Sequence, residues 1–338
     1  MAAGNSVRVS VRLCALTGLA ALAVASTVGA TPARAQQDGA AGYPRQPIKL
    51  VVGLAPGAIN DVQARVVAGK LAERIGQPVV VENRTGAGGN IAAEFVARAA
   101  PDGYTLLTVP TATMVINPAV YSKLAYDPQK DFVPITQIST YPLYLTVNVG
   151  LPVTSVKELL DHARTNPDKA NLGSPATFFD MMIALLTLNT GAKFVVIPFK
   201  STPETITALL TGQTMVGIQD FKPAAPQVKA GKVKVLATMS GTRTADMPDV
   251  PTIAEAGYPN AVAQPFTGIV APKGTPAAIV KKLETDINAV LKHPDVVARW
   301  KSLGLYEVDS NSAAFAQMID TEIKRWTAVA RAANVKLD

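Results

Sequence analysis

Residues 48–74, IKLVVGLAPGAINDVQARVVAGKLAER, decide the fold. Ile48 to Leu54 is a short apolar run rich in β-branched residues, the composition of a strand buried on both faces. Ala55-Pro56-Gly57-Ala58 breaks the run, and Asn60 or Asp61 stands where it can cap a following helix. Val62, Val66, Val67 and Leu71 recur at helical spacing, and Gly76 closes the element. In a parallel sheet, the helix that follows such a strand offers unpaired N–H groups and a partial positive charge beyond the strand's carboxyl end. The loop from Pro56 through Gly57, Ala58, Ile59, Asn60 and Asp61 is therefore the first candidate to hold an anion, its backbone amides meeting a carboxylate. The competing reading is an ordinary βα turn in which Gly57 supplies backbone freedom alone.

The pattern continues downstream. Gln77 to Asn83 reads as a second buried strand, followed by Arg84-Thr85-Gly86-Ala87-Gly88-Gly89-Asn90 and a helix from Ile91 to Ala100. This glycine loop is not a dinucleotide fingerprint, which needs Gly where Ile91 stands, nor a P-loop, which needs Gly-Lys-Ser/Thr. Gly86 and Ala87 form either a second wall for the same ligand or a structural turn. Tyr104 to Val109 is a third strand ending at Pro110-Thr111-Ala112-Thr113, and Thr111 and Thr113 join the candidate site. Three βα units in succession imply a parallel, three-layer domain.

A second set of units follows. Val133 to Val147 is strand-like and carries the chain across, and Val153 to Thr165 is a helix with Ser155 as cap and Glu158 three residues on. Asn171-Leu172-Gly173 leads into the loop Ser174 to Asp180 and an apolar helix from Met181 to Thr190. Lys193 to Pro198, Met215 to Ile218 and Val233 to Thr238 read as strands, with a short helix from Glu204 to Leu210. Near Gln264 to Ala271 the chain crosses back, and helices over 276–291, 295–303 and 312–333 cover the first lobe.

Residues 1–35 are set apart as a secretory signal peptide. Arg8 and Arg12 make a basic start, Leu13 to Ala25 is apolar but too short to span a bilayer, and Ala33-Arg34-Ala35 is a cleavage site. The sole cysteine, Cys14, leaves with it, so the mature chain is expected to hold no disulfide, Cys-ligated metal or thiol nucleophile. The net charge of +7 falls to +4 once Arg8, Arg12 and Arg34 are removed. No basic cluster is interleaved with aromatics, which argues against nucleic acid, and a mild positive balance suits an anionic solute.

The residues also resemble a known family. Ala55-Pro56-Gly57 with Asp61, Gly76 to Arg84, Gly86 to Asn90, Ala100-Pro101-Asp102-Gly103-Tyr104, Tyr126-Asp127-Pro128, Leu151-Pro152-Val153, Ala230-Gly231-Lys232 and Met247 to Thr252 together resemble the receptors of tripartite tricarboxylate transporters, the Bug or TctC type. The resemblance runs over essentially the whole mature chain. It implies an α/β, two-lobed, periplasmic-binding-protein-like fold, each lobe a mainly parallel sheet flanked by helices, with the ligand cleft between. Lobe 1 is expected to span 43–144 plus 264–338, and lobe 2 145–263. It also implies a monomer in the periplasm that closes over a small carboxylate and passes it to separate permease subunits, without a cofactor.

Two loops depart from the family pattern. Ser174-Pro175-Ala176-Thr177-Phe178-Phe179-Asp180 replaces a longer Gly, Ser and Asn-rich loop, and Ala58-Ile59-Asn60 stands where a second Gly and a Thr are common. These changes point to an apolar, aromatic-lined pocket in which Ser174, Ala176, Thr177, Phe178 and Phe179 contribute from lobe 2. The body of the ligand is then apolar or aromatic. Phe178 or Phe179 faces the ligand or packs in the core. Asp220, after an apolar strand, is a candidate acceptor for an amine, hydroxyl or water, and Lys200 a candidate cation. His162 and His293 read as surface residues, and no Gly-x-Ser-x-Gly or His-Glu-x-x-His motif occurs, so an enzyme is not expected. A sensor that signals to a kinase is the alternative to a transport receptor.

Overall fold

The structure, a computed structural model, describes residues 40–337; the expected signal segment and its cleavage site lie outside the described residues. In chain order the elements are β1 (Ile48–Val52), α1 (Ile59–Ile75), β2 (Val79–Asn83), α2 (Asn90–Ala97) and β3 (Thr105–Pro110). A π-helical stretch, Ala112–Ile116, runs into α3 (Asn117–Val120), followed by β4 (Phe132–Thr140), β5 (Leu143–Asn148) and α4 (Val156–Thr165). Then come β6 (Asn171–Ser174), α5 (Thr177–Thr190), β7 (Val195–Pro198), α6 (Thr202–Thr211), β8 (Val216–Asp220), α7 (Phe221–Lys229) and β9 (Val233–Thr238). The chain ends with β10 (Phe266–Pro272), α8 (Ala277–Leu291), α9 (Pro294–Leu303) and α10 (Ser312–Ala332).

The strands form two five-stranded sheets, ordered β2-β1-β3-β10-β4 and β7-β6-β8-β5-β9. In the first, β1 pairs parallel with β2 and β3, while β10 runs antiparallel to both β3 and β4. In the second, β6 pairs parallel with β7 and β8, while β5 runs antiparallel to both β8 and β9. Each sheet is mixed but keeps the expected mainly parallel run of strands, broken by one reversed member. Four strands share one direction, and the fifth is the strand that follows each crossing between the sheets. A composition of β-branched and apolar residues cannot tell a parallel from an antiparallel buried strand, so the sequence did not mark this reversal.

Local chemistry explains the elements. β1 lies between β2 and β3 and is buried on both faces apart from Lys49. Gly76 ends α1 in the left-handed region at φ 70°, where a Cβ is disfavoured. Ser155 caps α4 by accepting from the Glu158 amide at 3.2 Å. Glu158 answers not to Ser155 but to Thr154, accepting from its amide at 2.6 Å and its hydroxyl at 2.9 Å, so the reciprocal capping pattern is shifted by one residue. α7 escaped the sequence reading because Pro223 and Pro226 argue against a helix; Pro223 sits in the first turn, where no N–H is needed, but Pro226 lies inside and removes one hydrogen bond. α5 starts at Thr177, four residues before the expected Met181, which draws Phe178, Phe179 and Asp180 into its first turns.

Two apolar clusters hold these layers. One packs α1 and α8 against the first sheet through Val67, Leu71, Leu283 and Ile287, and closes on Trp300, whose Nε1 donates to the Ile138 carbonyl at 2.9 Å. The other is continuous between the two sheets: Met114, Val115 and Ile116 of the π-helical stretch and Trp326 of α10 belong to the same cluster as Phe178, Met181 and Met182 of α5. α5 thus packs against elements attached to the first sheet as well as its own. Gly268 on β10 makes room for α10, since a Cβ there would sit 2.1 Å from the Phe315 ring.

Candidate functional site

The head of α1 carries the first part of the site. Its N-cap, Ala58, is extended and makes no side-chain cap, so the first-turn amides of Ile59, Asn60 and Asp61 have no intrahelical acceptor. Neither Asn60 nor Asp61 is the cap. Asn60 donates from Nδ2 to Thr267 Oγ1 on β10 at 2.9 Å. Asp61, 2% exposed, turns back on its own loop. Its carboxylate accepts from the Gly57 amide at 2.8 Å, from Asn83 Nδ2 at 2.8 Å and from Arg65 Nε at 3.0 Å. Burial alone would raise its pKa, but the bonds from Arg65, Gly57 and Asn83 outweigh it and hold the carboxyl below its usual range. Gly57, at φ +83°, gives the loop its shape, and its amide is already occupied, so of the expected donors it is the later ones, from Ile59 onward, that stay open.

The glycine loop is a packing device. A Cβ on Gly53 would lie 2.8 Å from the Gly89 Cα, and one on Gly89, at φ +95°, would lie 2.7 Å from Thr113 Oγ1. Gly86 and Ala87 remain exposed beside it. The hydroxyls of Thr111 and Thr113 are engaged within the fold. Thr111 Oγ1 accepts from the Phe266 amide at 2.6 Å and donates to its carbonyl at 3.1 Å, fastening β3 to β10. Thr113 leans toward the Gly88 carbonyl at 3.4 Å.

From the second sheet comes the head of α5. Ser174 is buried and donates to the Ala176 carbonyl at 3.2 Å. Ala176 is an extended N-cap with no side-chain bond, and the first-turn amides of Thr177 and Phe178 lack intrahelical acceptors. Phe178 is 8% exposed and stacks edge-on against Phe179 at 5.5 Å and Trp326 at 6.5 Å. Phe178 is a core residue, and Phe179 packs on the same cluster half-buried. Lys200 is exposed, and its own amide donates to Glu204.

Asp220 ends β8, one strand from Ser174, and is the N-cap of α7 without making a cap bond. It lines a cavity of about 280 Å³ together with Ile59 from the head of α1, Tyr141 and Pro142 from the β4–β5 crossing, and Leu303 and Leu305 at the end of α9. Its Oδ1 is buried and has no hydrogen-bond partner. Burial pushes its pKa up to about 6. Burial, with Asp220 close by, also holds the Tyr141 phenol well above its usual range. Lys222 lines the cavity too, its ammonium 3.7 Å from Asp246, which accepts at 3.1 Å from Tyr306 Oη. Tyr141, Lys222, Leu303 and Leu305 were not expected from the sequence; only the Tyr141-Pro142 break between two strands hinted at a special position. Of the two histidines, His293 is exposed and caps α9 through Nδ1, whereas His162 is half-buried. Among the described residues no group of three or more His, Cys, Asp or Glu is gathered as a metal site.

Residues 63–335 match the family described as tripartite tricarboxylate transporter family receptor. The chain belongs to this family. It is 34% identical over 322 residues to protein BugT of Bordetella pertussis, covering 94% of this chain and 98% of that protein. The receptor is also similar to two solved structures from Rhodopseudomonas palustris. Rpa4515, solved with adipate, shares 32% identity at a TM-score of 0.74, covering 87% of this chain and 99% of that one. MatC, solved with bound malate, shares 33% identity at a TM-score of 0.72, covering 85% and 99%. The family is one of solute-binding receptors and not of enzymes, and its two-sheet architecture is the one described above.

Proposed function

We propose that this receptor captures a small carboxylate between its two lobes, in the periplasm, and hands it to a separate membrane permease. The observation that carries this reading is the cavity of about 280 Å³ shared by the open head of α1 and the end of β8, which belong to different sheets. The solute carboxylate meets the first-turn amides of α1 from one side and those of α5 from the other, where both helix dipoles favour an anion. Its binding free energy is complete only when the lobes approach, so the solute shifts the population toward the closed form. Ile59, Pro142, Leu303 and Leu305 give the cavity apolar walls, which supports a solute with an apolar body. The rigid lobes are taken as 43–144 plus 264–338 and 145–263, and export by removal of residues 1–35 brings the receptor to its solute.

Thermal denaturation of the purified receptor with adipate, malate, citrate and aromatic carboxylates tests this. A solute at a hundred times its dissociation constant adds about 2.7 kcal/mol, a rise of several degrees. Ser174→Asp, which puts a carboxylate at the α5 head, should abolish that rise while the unliganded transition is retained. No rise with any carboxylate would overturn the reading.

A further inference from the structure

We propose that the Asp220 end of the cavity is a subsite for a hydrogen-bond donor, so that the solute is a carboxylate bearing an ammonium or hydroxyl group close to its carboxyl. This rests on the reading of the cavity as the solute site and narrows its solute class.

The contrast with the other shielded carboxylates carries the argument. Asp61 is matched by Arg65, Asn83 and the Gly57 amide. Glu284 accepts from Lys281 at 2.5 Å and from the Ser312 amide at 2.9 Å, and Asp286 from Arg74 at 2.8 Å and Lys282 at 2.9 Å. Asp220 has none of these, although its Oδ1 is sealed from solvent. It also forgoes the bond that its place at the head of α7 offers, a cap to its own helix. The cation nearest in sequence, Lys222, is directed at Asp246, and its stem lies against Gly304, where a Cβ would come within 2.6 Å of Lys222 Cγ.

An unmatched carboxylate oxygen in a wall of Ile59, Tyr141, Pro142, Leu303 and Leu305 is costly unless something donates to it. Burial raises its pKa to about 6, the response expected of an acid that lacks a partner in the unliganded protein. Ile59, the first residue of α1, lines the same small cavity as Asp220. Acceptor and anion site are thus close together, and they match a solute whose donor and carboxylate are close together. A dicarboxylate dianion without such a donor fits poorly, because its second charge would face Asp220.

Titration calorimetry with two solute pairs tests this: L-leucine against 4-methylpentanoate, which differ by the ammonium group, and malate against succinate, which differ by one hydroxyl. Adipate serves as a donor-free reference. The donor-bearing member of at least one pair should bind about 10- to 100-fold tighter. Asp220→Asn should remove the preference for ammonium, and Asp220→Leu, which also removes the acceptor while keeping the branched shape, should remove both preferences. Thermal melting of each variant reports its folding independently. Equal affinities within both pairs, or a preference that survives Asp220→Leu, would overturn the subsite and leave the receptor reading standing. Absence of binding by all five solutes would overturn both.

Discussion

Asp61 and Asp220 both stand at the head of a helix, and their surroundings drive them in opposite directions. Asp61 is held below its usual pKa, so it contributes stability that is present near neutral pH and lost on acidification. Asp220 is raised from 3.8 to about 6, so the folded state retains a proton that the unfolded chain has already lost. Stability from this group therefore falls as pH rises between those two values and stays reduced above them. The cost at neutral pH is on the order of 3 kcal/mol. Asp220→Asn is expected to melt several degrees above the wild type at pH 7.5 and level with it near pH 3.5. A gain that is the same at both pH values would show that the carboxylate is not desolvated. In the solute-bound receptor an ammonium reverses this balance, so affinity for L-leucine should weaken as pH drops below about 6. Tyr141 shares the cavity, and with its phenol held well above the usual range it keeps its proton here. At this scale the sequence named Asp61 and Asp220 and read Asp220 as an acceptor, but it did not give the partners that occupy Asp61 or the lack of them at Asp220. Which partners a carboxylate meets depends on Asn83, Arg65 and Tyr141, and no spacing along the chain announces those meetings.

Helices and strands were largely legible, and the exceptions have physical reasons. The α1 span is close to the one expected, yet Val62 and Val66 are only half-buried while Ala64 and Ala68 are fully covered, because α1 is wedged between β2 and α8 and small residues allow the close approach. The early start of α5 has the largest consequence. It converts Phe178 from a ligand-facing candidate into the link between α5 and Trp326 of α10. Phe178→Ala should cost about 3–5 kcal/mol, lowering the melting temperature by roughly 10 °C, with solute affinity nearly unchanged. Denaturant unfolding alongside calorimetry checks this, and a variant that lost affinity but not stability would return the ring to the cleft. The cavity walls draw on the α1 head, the β4–β5 crossing, the α7 head and the end of α9. Four segments so far apart in sequence meet only through the tertiary fold, so the sequence could name only some residues of the candidate site.

At the scale of the molecule, the two sheets have the same layout, each with its reversed strand in the fourth place, yet they differ in how the chain supplies them. The second sheet is built from one continuous stretch, β5 to β9. The first is not: β4 touches the rest of its sheet only through β10. The loop between those two strands contains the entire second sheet. Pulse-labelled hydrogen exchange during refolding should therefore protect amides of β5, β6 and β8 before those of β4, and simultaneous protection would contradict this order. On a growing chain β4 waits with its edges unpaired until residues 266–272 arrive. The first lobe to be made is thus the last to be finished, assembled around a neighbour that is already in place.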